Sequence, residues 1–224
     1  MLNDNRIRII IGHYGSGKTE FAVNYAMKLA DKAKKVALAD LDVVNPYFRS
    51  REKQDILGEK GIEVIGSSLG MKSGADLPAV SSRVLAPIQD ASYDLVLDVG
   101  GDAVGARALA RYYSSFKDGN YDMFCVINAN RPGTQTAEGA IEHIKGIEAA
   151  SRIRITGIIN NTHLLRETTV DDVLRGQELA IEVSENLSIP IKYVSALEKV
   201  ARQLPRDMEG QIFPINMYMR EDWM

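Results

Sequence analysis

Gly12, His13, Tyr14, Gly15, Ser16, Gly17, Lys18 and Thr19 set glycines, a lysine and a hydroxyl at the spacing G-x-x-x-x-G-K-[ST]. The chemistry this spacing supports is the holding of a triphosphate. Glycines let the backbone turn its N–H groups inward with no Cβ in the way. Those donors and the N-terminus of a following helix face the phosphates. Lys18 is then the residue to reach the β- and γ-phosphates and the Thr19 hydroxyl the one to bind Mg²⁺. Glu20, next along the chain, is counted with the nucleotide-binding loop.

Two further stretches carry carboxylates of the right kind. Asp40 and Asp42 end an apolar run, and residues two apart on an extended chain face the same side. Asp98 ends the run Leu95-Val96-Leu97, the Walker B form, in which the carboxylate holds Mg²⁺ directly or through water. Gly101, three residues on, is placed to offer a backbone N–H to the γ-phosphate, and Asp102 reads as a helix cap.

These residues need strands that end at one edge. Apolar, often β-branched runs at 7–11, 36–41, 62–65, 93–99, 121–128, 153–160 and 191–194 read as strands covered on both faces. Helical patterns lie between them: from Lys18 onward, where Phe21, Tyr25 and Leu29 share a face, and at about 76–90, 103–117, 134–149, 169–187 and 195–203. Such alternation predicts an α/β fold with a mainly parallel sheet between helices. Its ligand crevice lies at the C-terminal strand ends, where Asp40, Asp42 and Asp98 fall. With no linker, repeat or low-complexity tract in sight, one domain over 1–224 is expected. For the tail, 211–224, three readings stay open: packing on the parent core, a dimer contact, or a helix for a partner or membrane.

The composition excludes several classes. Lys plus Arg is 27 against 30 Asp plus Glu, a formal charge of −3, so nucleic acid is not expected as the main partner. Cys125 is the one cysteine; it permits no intrachain disulfide or CxxC metal site and reads as a small buried hydrophobe. Residues 1–8 do not look like a signal peptide, and no apolar run approaches the ~18 residues of a membrane span. A cytoplasmic protein is expected.

The loop at 12–19, the Asp40-x-Asp42 pair and Asp98-x-x-Gly101 together resemble the MinD/ParA and CobB/CobQ (SIMIBI) branch of P-loop NTPases over most of the chain. The resemblance implies a three-layer α/β/α P-loop NTPase, ATP and Mg²⁺ as cofactors, ATP hydrolysis, and dimerisation across the nucleotide. By the same resemblance Asp40 approaches the metal together with Thr19 and Asp98, and Asp42 orients the attacking water. One position departs from the pattern: where the branch carries a signature lysine that contacts nucleotide in the partner subunit, this chain has His13. The loop 15–19 is also similar to that of the metallochaperone GTPases of urease and hydrogenase maturation. Those read guanine with Asn-Lys-x-Asp, whereas the strand here ends Asn160-Asn161-Thr162-His163. ATP is therefore expected over GTP, with Asn160 or Asn161 near the base.

Arg131, in the loop at 128–133, faces the same crevice by topology and could touch nucleotide or substrate. Tyr47, Phe48, Arg49 and Arg51 could receive an acidic substrate or partner, or be a helix surface over core aromatics. The function expected is a Mg²⁺-dependent ATPase switch for a protein or small-molecule client, with a homodimer left open as its assembly. The alternatives are an ATP-dependent ligase or kinase of the CobB or dethiobiotin-synthetase type, a GTPase metallochaperone, or a nucleotide-binding module without turnover.

Overall fold

The β-branched runs become strands because both of their faces are covered. The computed structural model describes residues 2–32, 35–42, 53–66, 82–116 and 119–219. Its strands are β1 (Ile7–Gly12), β2 (Val36–Asp40), β3 (Ile62–Ile65), β4 (Asp94–Asp98), β5 (Tyr121–Ile127), β6 (Gly157–Asn160), β7 (Ile191–Leu197) and β8 (Gln211–Ile215). Its helices are α1 (Lys18–Ala30), α2 (Gln54–Glu59), α3 (Leu85–Gln89), α4 (Ala103–Ala110), α5 (Ala137–Ser151), α6 (Val170–Leu187) and α7 (Glu198–Ala201). The strands form one sheet in the order β3-β2-β4-β1-β5-β6-β7-β8, and each neighbouring pair is parallel.

Alternation along each strand divides the apolar residues between two cores. Ile7, Ile9 and Ile11 of β1 face a core shared with Ile88 of α3, Leu109 of α4, Ile144 of α5, Val183 of α6 and Val200 of α7. Ile10 faces the opposite core, built with Phe21 and Tyr25 of α1 and Leu57 of α2. This is the three-layer α/β/α arrangement, with α3 to α7 on one side of the sheet and α1 and α2 on the other. Burial of side chains this size stabilises by about 1.5–3 kcal/mol each, so the layers hold the sheet by area rather than by any single contact. Cys125 lies within the first core, where burial pushes its thiol up to about 12.

The element boundaries follow local chemistry where it is strong. Thr169 and Asp172 form a reciprocal capping box that starts α6. Tertiary pairing decides elsewhere. Residues 195–197, expected to open a helix, extend β7, because Ser195, Ala196 and Leu197 pair with Phe213, Pro214 and Ile215 of β8. Pro214, which has no N–H to give, is tolerated because β8 is an edge strand. The strand expected over 153–160 is confined to its second half, although Ile153 and Ile155 are buried. Tyr47, Phe48, Arg49, Arg51 and positions 76–81 of an expected helix lie outside the described residues. Among the described residues no helix is long and apolar enough to cross a membrane.

Because the sheet is parallel, the loops after its strands emerge at one edge. β1 sits between β4 and β5, so the chain departs from it in both directions and opens a crevice at its C-terminal end. The 12–19 loop enters that crevice.

Candidate nucleotide site

The loop closes on itself through a hydrogen bond from the Ser16 N–H to the His13 carbonyl, 3.0 Å. Gly17 then caps α1 in the left-handed conformation, φ 84°, which glycine adopts without a Cβ penalty. A side chain there would also run into the Asn161 amide. Lys18 follows, 6% exposed, with its Nζ 2.9 Å from Asp42 Oδ2.

The expected carboxylates are brought together beside it. Asp40 and Asp98 are register partners across β2 and β4, and Asp98 is level with Ile10 of β1. The Asp42 N–H donates to Asp40 Oδ1 at 3.0 Å, and the Leu41 N–H to the Asp98 carbonyl at 2.8 Å, so the turn after β2 is tied to β4. Asp98 is fully buried, and neither carboxylate oxygen has a hydrogen bond of good geometry. Burial pushes its pKa up to about 7. The Lys18 charge and the adjacent Thr19 hydroxyl oppose that rise, and Asp40 and Asp42 add to it. Burial also works against the Lys18 charge, but Asp98 and Asp42 outweigh it and raise the ammonium above the ordinary lysine range.

A buried carboxylate without a hydrogen bond calls for a cation. The oxygens of Thr19, Asp40 and Asp98 are the hard donors that suit Mg²⁺. Among the described residues no group of three or more His, Cys, Asp or Glu could hold a metal by itself.

Gly101 packs directly on the loop: a Cβ there would collide with the Gly12 carbonyl and lie 3.1 Å from the His13 nitrogen. Only glycine lets the chain after β4 come this close to the phosphate loop. Asp102 caps α4, accepting the Gly105 N–H at 2.8 Å.

Next to the loop lies a cavity of about 210 Å³. Gly15, Lys18 and Thr19 line it together with Arg131, Asn161, His163, Leu197, Ile215, Met217 and Met219. The Arg131 Nε donates to the Gly15 carbonyl at 2.8 Å, so this loop arginine braces the phosphate loop. The expectation for Asn160 needs correction. Its side chain points to α6, donating to the Val173 carbonyl at 3.0 Å and to Gln177 Oε1 at 3.1 Å, and it does not line the cavity. Asn161, one residue on and therefore on the other side, lines the cavity instead. It donates to the Ser16 carbonyl at 2.8 Å, and its buried Oδ1 makes no hydrogen bond.

Glu20 also lines the cavity, but its carboxylate accepts the Tyr218 and Met219 N–H groups of the tail. His13 turns toward α5 of its own chain. Its ring meets that of His143 edge-on at 5.4 Å, and its Nδ1 lies 3.1 Å from the Tyr14 carbonyl. Burial and the neighbouring His13 hold His143 down at about 4. Tyr14 is 59% exposed. The sequence reading did not assign His163 or the tail methionines to the site. The first sits in a loop without a motif, and the others are brought to the site by strand pairing far along the chain.

A parallel α/β sheet, a phosphate loop between β1 and α1, and acidic ends on β2 and β4 define a nucleotide-binding P-loop domain of the SIMIBI class. Residues 7–205 match the family described as the CobQ/CobB/MinD/ParA nucleotide binding domain (CbiA), and the chain belongs to that family. No curated protein matches the sequence. Among solved structures it is similar to the cell division protein FtsY of Thermotoga maritima: 26% identity, TM-score 0.59, covering 87% of this chain and 62% of that one. FtsY of Mycoplasma mycoides (21% identity, TM-score 0.58, 89% and 62% covered) and chloroplast FtsY of Physcomitrella patens (19%, 0.56, 84% and 57%) share the fold. The chain thus spans less than two thirds of the length of each of these relatives.

Proposed function

We propose that residues 1–224 form one cytoplasmic, Mg²⁺-dependent ATP-binding domain that hydrolyses ATP and acts as a nucleotide switch on a protein or small-molecule client. The observation that carries this reading is the buried Lys18–Asp42 pair, 2.9 Å, set beside Asp40, Asp98 and Thr19 at the mouth of the phosphate loop. The phosphates of ATP compete with Asp42 for the lysine. When Lys18 moves to the β- and γ-phosphates, Asp42 is released to orient the attacking water. Thr19, Asp40 and Asp98 would hold Mg²⁺, which supplies charge neutralisation of the phosphates when bound.

The exchange of partners at Lys18 is the switch. The turn after β2 is tied to β4 through Leu41 and Asp42, so releasing Asp42 alters the surface formed by the turns at 40–42 and 98–102. His13, at the signature-lysine position, lies against His143 and Tyr14 of its own chain, which supports a reading in which Lys18 and Asp42 of one chain carry the chemistry. What supports adenine is that Glu20, the one acidic residue among the described residues lining the cavity, has its carboxylate taken by tail N–H groups. A carboxylate that reads guanine N1 and N2 has no counterpart among the described lining residues.

Phosphate release at saturating Mg·ATP tests the reading. Asp42→Ala is expected to bind ATP at least as tightly as wild type, since it removes the competing anion, and to lose hydrolysis by about 100-fold or more. Normal turnover by Asp42→Ala would remove the role assigned to it.

A further inference from the structure

One wall of the cavity comes from a segment beyond the family domain. The family match ends at residue 205, and Gln211–Ile215 then adds β8 to the sheet edge. Three side chains of α1, each four residues after the last, grip this segment by its backbone. Glu20 accepts the Tyr218 N–H at 2.6 Å and the Met219 N–H at 3.1 Å. Asn24 donates to the Asn216 carbonyl and accepts the Asn216 N–H, both at 2.8 Å. Lys28 donates to the Pro214 carbonyl at 2.5 Å and stands 3.6 Å over the Phe213 ring. A four-residue step puts all three on one helix face.

This ladder reads main-chain groups, so it fixes the path of the tail whatever its side chains are. The path chosen brings Met217 and Met219 to the cavity beside Leu197. Methionine side chains are flexible and polarizable, and their sulfur makes favourable contacts with aromatic rings. The helix that holds the tail is also the helix that begins with Lys18 and Thr19, the phosphate-binding residues.

We propose that residues 211–219 are a base-recognition element, in which Met217 and Met219 pack on the purine of the bound nucleotide and the Glu20–Asn24–Lys28 ladder couples tail seating to occupancy of the cavity. This rests on the nucleotide reading given above. By linkage, a ligand that touches the seated tail stabilises it, and a ligand that ends at the phosphates does not.

The test uses the full chain with two probes, Mg·ATP and Mg·tripolyphosphate, the second lacking base and sugar. Met217→Ala/Met219→Ala is expected to lose about tenfold in ATP affinity while its tripolyphosphate affinity stays within about twofold of wild type. In the wild type, ATP and not tripolyphosphate is expected to slow hydrogen exchange at the Tyr218 and Met219 amides. The wild-type exchange measurement stands even where the variant fails to fold. Unchanged ATP affinity in a variant that still binds tripolyphosphate overturns the proposal. So does equal exchange at those two amides with and without ATP. A wild-type chain that binds tripolyphosphate but not ATP overturns the base element alone. One that binds neither overturns the nucleotide reading beneath it.

Discussion

The phosphate half of the cavity and its apolar half are built in opposite ways. The first is polar, buried and short of hydrogen bonds: Asp98 is enclosed with no hydrogen bond of good geometry to either oxygen, and Lys18 is paired with Asp42. The second is apolar and fully supported, its wall fixed by Glu20, Asn24 and Lys28. Charges gathered away from solvent are costly to the fold, whereas the apolar wall stabilises it by the same contacts that shape the cavity.

Breaking the phosphate half has the largest expected effect. Lys18→Ala should weaken ATP and tripolyphosphate equally, by about 100-fold or ~3 kcal/mol, since a charge-assisted contact common to both is removed. Titration with both ligands checks this, and a loss confined to ATP would place Lys18 on the wrong half.

Asp98 provides the next test, through stability. Its folded pKa is raised to about 7, so between about 4 and 7 the folded state binds more protons than the unfolded state. The contribution of Asp98 to stability is therefore greatest at low pH and falls as pH rises toward 7. Asp98→Asn should remove that dependence. At pH 8, without nucleotide or divalent cation, it should be more stable than wild type by ~2 kcal/mol, or about 4–8 °C in melting temperature. Thermal melts across that pH range measure it.

The smallest effects separate two adjacent amides. Asn160→Ala leaves buried partners on α6 and the Thr162 N–H unmatched and should cost about 1–3 kcal/mol of stability, with ATP affinity of the folded protein little changed. Asn161→Ala should cost less stability and weaken ATP by about fivefold, more than it weakens tripolyphosphate. Reversed outcomes would exchange the sides assigned to the two residues.

The two halves were also unequally legible in the sequence. The phosphate half is written in contiguous motifs, because a tight loop and strand-end carboxylates need particular residues at fixed local spacing. The family resemblance followed from them, and the parallel sheet from the alternation of apolar runs and helical patterns. The other half depends on long-range facts. Asn160 and Asn161 differ only in strand parity, which an error of one residue in the boundary inverts. β7 runs on to Leu197 because β8 pairs with it, and Ser195 and Ala196 carry little strand preference of their own. Glu20, read as part of the phosphate loop, is bound to amides nearly two hundred residues away in sequence.

Calorimetric titration of the full chain with ATP and with GTP, each with and without Mg²⁺, tests the proposed ATP switch most directly. Mg²⁺-dependent ATP binding that Lys18→Ala removes is expected, with GTP weaker by about tenfold or more. Equal or tighter GTP binding, or ATP binding indifferent to both Mg²⁺ and Lys18, would rule the switch out.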